Sequence, residues 1–189
     1  MRPMVIALCG VKRCGKDTVA DYLVEFYGYK KKKIADPLKH VCKYLFNLDD
    51  DQLETDKKDV VDHQLGISPR QIMQFFGTEV MQYKIQEILP NIGRNFWMNK
   101  MLYDMGKDKQ SNIVIGDMRF LHELEAIKQV YGGTQVIKII NWHASSIADK
   151  HESEKEWDQI PADYTIINNG SLLDLYKSVH NVITSIDNL

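Results

Sequence analysis

Short apolar runs alternate along the chain with segments whose apolar residues recur at helical spacing. Val5-Ile6-Ala7-Leu8-Cys9 contains no polar residue, the pattern of a strand buried on both faces. Ile113-Val114-Ile115-Gly116 and residues 135–140 and 164–167 read as three more strands. Lys33-Ile34-Ala35 reads as a shorter second strand. Helical spacing covers residues 17–27, closed by Gly28, and residues 38–46, where Leu38, Val41, Cys42 and Leu45 share one face. It returns over 95–103, over 120–131 before Gly132-Gly133, and from Ser171 to about 186. Ser68-Pro69 starts a further helix, because serine caps an N-terminus and proline suits the first turn. Gly77-Thr78-Glu79 is expected to interrupt or cap that helix, with residues 80–89 resuming it. Residues 47–66 are acidic and polar, with helical turns expected, and residues 141–161 are polar and irregular.

Strands alternating with helices predict an α/β fold, a five-stranded parallel sheet with right-handed crossovers and flanking helices. In such sheets ligands gather at the carboxyl ends of the strands. The conspicuous polar residues fall there: the loop after the first strand, Asp36 after the second, Asp117 and Arg119 after the third.

The loop after the first strand, Gly10-Val11-Lys12-Arg13-Cys14-Gly15-Lys16-Asp17-Thr18, fits the G-x-x-x-x-G-K-x-T form of a phosphate-binding loop. Gly10 and Gly15 permit backbone angles that let successive N–H groups face a phosphate. The helix N-terminus behind them adds partial positive charge. Lys16 is placed to reach the β- and γ-phosphates. Thr18, or Asp17 directly or through water, is expected to face a Mg²⁺ ion. Strand, loop and helix come in the order such a motif needs, which makes this a three-layer P-loop NTPase fold.

The 189 residues suit one domain, with 47–106 as an acceptor-binding helical region and 142–160 as a lid-like segment. A net charge of −2 argues against a general nucleic-acid-binding surface. No apolar run reaches the ~18 residues of a membrane span, and the first run reads as a strand rather than a leader. Cys9, Cys14 and Cys42 are odd in number and lack metal-site spacing, which points to a reducing, cytoplasmic setting. Cys14 is read as inert. The run Lys30-Lys31-Lys32-Lys33 is read as a solvated turn leading into a strand, and the acidic 47–66 segment as a solvated face.

Asp117 has the position of an acid that holds Mg²⁺ through water. Arg13, Arg70, Arg94 and Arg119 are few in a chain whose positive surface is mostly lysine. Phosphoryl transfer relies on positioning and charge neutralisation, which arginine's planar fork supplies well. The segment from Trp142 to Trp157, with Lys150, His151, Glu152, Ser153, Glu154 and Lys155, has the charged character of a lid that excludes water. The Asn-Lys-x-Asp segment of guanine-specific GTPases is absent from the sequence.

The phosphate loop, Ala35-Asp36-Pro37-Leu38-Lys39, Arg70-Gln71-Ile72-Met73-Gln74-Phe75-Phe76-Gly77-Thr78-Glu79, Asp117-Met118-Arg119 with His122-Glu123, and the ending Asp163-Tyr164-Thr165-Ile166-Ile167-Asn168-Asn169-Gly170-Ser171-Leu172 form an ordered set. This set resembles the deoxynucleoside monophosphate kinases of tailed phages and large DNA viruses, almost from end to end. The resemblance implies an adenylate-kinase-like core and transfer of the γ-phosphate of ATP, with Mg²⁺, to a deoxynucleoside monophosphate for DNA precursor synthesis. It implies that Gly10, Lys12, Arg13, Gly15, Lys16, Asp17 and Thr18 hold donor phosphates and metal. Asp36 and Lys39 would flank the acceptor. Arg70, Gln74 and Thr78 would face it, with Arg94 and Trp97 completing the substrate set. Asp117 and Arg119 would sit between the phosphates. Asn168 and Gly170 would lie near the donor adenine. The implied location is the host cytoplasm, and the partner a small molecule rather than nucleic acid or membrane. A homodimer stays open.

Phage members can carry a longer insert before the Arg-Gln-Ile-Met-Gln-like helix, and the lid here has no arginine. The Lys-x-x-Gly-Lys-Asp loop and Asp-x-Arg are shared with animal-type phosphomevalonate kinases, an alternative with the same donor site. Gln74 and Thr78, an amide and a hydroxyl suited to base edges, favour a nucleotide. A non-catalytic ATP-binding regulatory module is a third reading, opposed by the presence of Lys16, Asp117 and the arginines.

Overall fold

The apolar runs pair side by side. In the computed structural model, residues 3–108, 110–145 and 156–188 are described. The chain runs β1 (Val5–Cys9), α1 (Lys16–Tyr27), β2 (Lys30–Lys32), α2 (Asp36–Phe46) and α3 (Asp50–Glu54). A 3₁₀ turn (Asp56–Asp59) leads to α4 (Pro69–Gln74) and a π-helical stretch (Phe75–Tyr83). Then come α5 (Phe96–Met105), β3 (Ile113–Met118), α6 (Leu121–Val130), β4 (Gln135–Ile140), α7 (Trp142–Ser145), β5 (Tyr164–Ile167) and α8 (Leu172–Asp187). Two compact units result: Met1–Lys33 with Asp104–Leu189, and Ile34–Tyr103.

The first unit holds a five-stranded sheet in the order β2-β3-β1-β4-β5, every pairing parallel. The step from β1 to β2 crosses β3, and the step from β3 to β4 crosses β1 in the opposite direction. Right-handed crossovers therefore put α1 and α6 on opposite faces. On one face, Ile6 and Leu8 of β1 share a core with Val19, Ala20 and Leu23 of α1 and Leu175, Val179 and Ile183 of α8. Each such side chain contributes about 1.5–3 kcal/mol by leaving water. The alternate residues Ala7, Cys9 and Ile115 are also fully buried, as is Ile127 of α6. α1 and α8 are further joined by the stacked rings of Tyr22 and Tyr176, 4.5 Å between centroids.

Between β1 and β3 the register slips: Ala7 pairs Ile115 but Cys9 pairs Met118. One extra residue therefore sits in β3 at Gly116-Asp117, a bulge of the kind that re-aims a side chain at a sheet's end. The strand expected to finish at Gly116 runs on to Met118, and Asp117 lies within it.

The second strand is not Lys33-Ile34-Ala35 but the basic run itself, Lys30–Lys32. It is an edge strand, where lysine stems can lie on the sheet while the ammonium groups reach carboxylates. Lys30 pairs with Asp108 at 2.5 Å, and Lys31 with Asp17 and Asp21 at 2.9 and 2.8 Å.

In the second unit, α4 starts at Ser68 with a capping box to Gln71. Gly77-Thr78-Glu79 does not break the helix but widens it into the π stretch. The physical reason lies in Gly77, whose carbonyl accepts a bond from the Trp97 indole N–H at 2.9 Å. A side-chain donor that engages a helix carbonyl loosens the i→i−4 ladder. Gly77 also has Leu38 so close that a Cβ would fall 2.5 Å from its Cδ2.

Candidate active site

The donor loop is closed around its own lysine. Lys16 Nζ donates to the carbonyls of Gly10 and Val11, each at 2.7 Å. Gly10 has φ +144° and Gly15 φ +110°, angles side chains rarely adopt. A Cβ on Gly10 would fall 2.4 Å from the Ile139 carbonyl oxygen, and one on Gly15 2.5 Å from Asn168 Nδ2. Arg13, exposed, also takes a left-handed φ of 63°, a local strain characteristic of loops that grip ligands. α1 begins at Gly15 with no side-chain cap, so its first N–H groups are offered to a ligand instead. These residues fit a nucleoside triphosphate: a left-handed loop, a central ammonium group and an uncapped twelve-residue helix.

Cys14 is buried within this loop, and burial raises its thiol pKa against the opposing pull of Lys16. It is therefore an unreactive packing residue.

Asp17, expected to face the metal, has a side chain 67% exposed and engages two lysines through one carboxylate oxygen. Its carboxylate lies 2.9 Å from Lys31 Nζ and 3.0 Å from Lys33 Nζ. Partial burial pushes its pKa up, but the two lysines win and hold it at about 2. Thr18, half-buried at the next position, keeps its hydroxyl on α1 beside the loop. Among the described residues no three His, Cys, Asp or Glu side chains gather into a metal cluster.

At the end of β3, Asp117 and Arg119 are half-buried. The turn that carries them is fixed by Glu123, which accepts hydrogen bonds from the backbone N–H groups of Arg119 (2.8 Å) and Phe120 (3.0 Å). Burial pushes the Glu123 carboxyl up to about 7, helped by the nearby Asp117 charge and resisted by those two bonds and by Arg119. Glu123 was absent from the expected site set. Its signal was there: a glutamate three residues into a helix that follows a strand-end Asp-x-Arg.

The ends of β4 and β5 join the loop. Asn168 Nδ2 donates to the Cys14 carbonyl at 2.9 Å, and Asn141 Nδ2 to the Asn168 carbonyl at 2.5 Å. The Trp142 backbone N–H donates to Asn169 Oδ1 at 3.0 Å. Gly170 leaves room for Asp174, which caps α8 with Ser171; a Cβ there would lie 2.9 Å from Asp174 Oδ2. The lid-like residues Lys150, His151, Glu152, Ser153, Glu154 and Lys155 lie outside the described residues.

The expected acceptor residues all fall in the unit Ile34–Tyr103. Asp36 and Lys39 line a pocket of ≈ 270 Å³ with His40 and Leu53. Lys39 pairs with Glu54 at 2.6 Å. Arg70, only 14% exposed at its side chain, pairs with Asp59 at 2.5 Å. Gln74 is half-buried in the last turn of α4, and Thr78 is buried in the π stretch. Arg94 Nε donates to Gln82 Oε1 at 3.2 Å, and its guanidinium sits 4.9 Å from the Tyr83 ring centre. Trp97, expected to touch substrate, is 6% exposed and spends its N–H on Gly77. Its place is in the packing that shapes the π stretch.

Comparison with known proteins bears on the family of the whole chain. The model of the deoxynucleotide monophosphate kinase family matches residues 4–65 and 49–179. A protein of Acanthamoeba polyphaga mimivirus named as a deoxynucleotide monophosphate kinase is 33% identical over 193 residues, covering 98% of this chain and 97% of that one. The deoxynucleotide monophosphate kinase of Escherichia phage RB69 is 23% identical over 244 residues, covering 95% and 99%. Among solved structures, a dephospho-CoA kinase from Campylobacter jejuni superposes with a TM-score of 0.55 at 17% identity over the whole of both chains, a likeness of fold alone. With a phosphate-binding loop at the head of α1 and end-to-end similarity to viral relatives, this chain belongs to the deoxynucleotide monophosphate kinase family.

Proposed function

We propose that the chain transfers the γ-phosphate of ATP to the phosphate of a deoxynucleoside monophosphate, giving ADP and the deoxynucleoside diphosphate. The observation that carries the donor half is the Lys16 ammonium, held 2.7 Å from two loop carbonyls at the uncapped start of α1.

In this reading the loop from Gly10 to Thr18 binds the donor phosphates, with Lys12, Arg13 and Lys16 neutralising them. Thr18 and Asp117 would hold Mg²⁺, which would supply Lewis-acid charge to the donor phosphates when bound. Asp17 contributes through Lys31 and Lys33 rather than as a ligand. Arg119, with its turn fixed by Glu123, places a guanidinium by the transferring phosphoryl group. Catalysis then comes from positioning and charge, with no side-chain nucleophile. Asp36, Lys39, Arg70, Gln74, Thr78 and Arg94 bind the acceptor. Asn168 lies on the nucleoside side of the donor loop. The direct test is chromatographic detection of a deoxynucleoside diphosphate from ATP, Mg²⁺ and a deoxynucleoside monophosphate. Formation of ADP with no such diphosphate rejects the reading.

A further inference from the structure

We infer that the indole of Trp142 is the stacking platform for the purine base of the donor nucleotide. This rests on the donor-site reading above and extends it to a residue that reading does not use.

The carboxyl edge of the sheet is divided by charge. On the β3 side stand Asp117 and Arg119, groups suited to phosphates and a cation. On the β4–β5 side the strand-end residues Asn141, Trp142, Asn168, Asn169 and Gly170 are uncharged, and the neighbouring Asp174 carboxylate accepts from the Ser171 N–H and hydroxyl at 3.0 and 2.7 Å. A triphosphate in the Gly10–Thr18 loop must send its nucleoside to one side. A neutral heterocycle loses least where no charge is desolvated and where amides can meet its edge.

Hydrogen bonds tie that neutral side to the loop. Asn168 bonds the Cys14 carbonyl at 2.9 Å and lies against Gly15 so closely that a Cβ on Gly15 would meet its Nδ2. The next residue, Asn169, accepts the Trp142 N–H at 3.0 Å. Asn141 Nδ2 donates to the Asn168 carbonyl at 2.5 Å, and Asn141 Oδ1 accepts the Ala144 N–H at 2.9 Å, which closes the turn. The backbone of Trp142 is thus pinned two hydrogen bonds from the phosphate loop. Its side chain is nevertheless 61% exposed. By contrast Trp97 is buried and Trp157 is packed against the main core. A fixed backbone bearing a largely bare indole, beside a loop for triphosphate, has the form of a base platform.

The test is calorimetric binding of Mg·ATP and of inorganic tripolyphosphate to the full chain, as wild type, Trp142→Ala and Trp142→Phe. Tripolyphosphate occupies the loop but has no base to stack. Trp142→Ala should weaken ATP about tenfold while tripolyphosphate stays within about twofold, and Trp142→Phe, which keeps a ring, should lose no more than about threefold on ATP. ATP should also quench tryptophan fluorescence in the wild type and fail to do so in Trp142→Phe. ATP binding unchanged in Trp142→Ala, or ATP and tripolyphosphate weakened in parallel, overturns the inference. Binding is read without turnover, so the two readings can fail separately. A chain that stacks ATP on Trp142 yet phosphorylates no monophosphate sinks the kinase reading alone. A working kinase whose Trp142→Ala variant binds ATP normally sinks this inference alone.

Discussion

Asp17, one residue after the phosphate-loop lysine, is joined to Lys33 across 3.0 Å, and the same oxygen meets Lys31 at 2.9 Å. The first turn of α1 is thereby fastened to the end of β2, with Asp21 extending the network through Lys31 at 2.8 Å. With one oxygen shared by two lysines, Asp17 is proposed to act through them, leaving Thr18 as the metal ligand on α1. Asp17→Asn should leave the Mg²⁺ titration midpoint within about twofold, whereas Thr18→Ala, which removes the neighbouring hydroxyl, should raise it about tenfold. The network is partly exposed, so Asp17→Asn should cost less than about 1 kcal/mol of stability. A large shift in magnesium dependence in Asp17→Asn would return Asp17 to the metal.

Lys16 has two roles that substitution separates. Its bonds to Gly10 and Val11 tie down the loop backbone, and its charge is proposed to serve the phosphates. Lys16→Ala should leave the circular dichroism spectrum unchanged, because the core around Ile6, Leu8 and Leu23 is untouched. It should lower kcat by about 10²–10³, the usual loss when a preorganised charge is removed from a transition state. Retained turnover would remove Lys16 from the mechanism.

Arg70, proposed to bind the acceptor, has a side chain 14% exposed and held by Asp59. Arg70→Ala should raise the KM for the deoxynucleoside monophosphate about tenfold or more and the KM for ATP by less than about twofold. Steady-state kinetics with each substrate varied in turn decides this, and the reverse pattern would place Arg70 on the donor side.

Much of this molecule can be read from local chemistry. Residues 135–140 and 164–167 pair as strands, and Ser171 caps α8, because apolar runs and a Ser-x-x-Asp start act within a few residues. Lys30–Lys32 escaped such reading, since three lysines have low strand propensity and it is their parallel pairing with Ile113–Ile115 of β3, distant in sequence, that makes an edge strand of them. The π stretch escaped for a similar reason: the bond from Trp97 to Gly77 spans twenty residues of sequence. Gly10, Gly15 and Lys16 were legible as a loop because their spacing is itself the geometry. The commitment of Asp17 was not, because it depends on which lysines β2 brings alongside.

Glu123 gives the site a pH signature. Burial first, with Asp117, pushes its carboxyl from an ordinary 4.5 up to about 7. The unfolded chain releases that proton near 4.5, while the native protein keeps it until about 7. Between those values the native state binds more protons, so stability falls as pH rises through this window and levels off above it. Thermal melts from about pH 5 to about pH 8 should show this fall in the wild type and its loss in Glu123→Gln. A wild-type-minus-variant difference that does not change with pH would contradict it.

The acceptor is proposed to be a deoxynucleotide. The measurement that meets it most directly is ADP release from ATP and Mg²⁺ with dTMP, dGMP, dCMP, dUMP, dAMP, the ribonucleotides and phosphomevalonate offered one at a time. Turnover is expected on one or more deoxynucleoside monophosphates, abolished together by Lys16→Ala and weakened by Arg70→Ala. Turnover on phosphomevalonate alone, or ATP binding with silence on every acceptor, would contradict it.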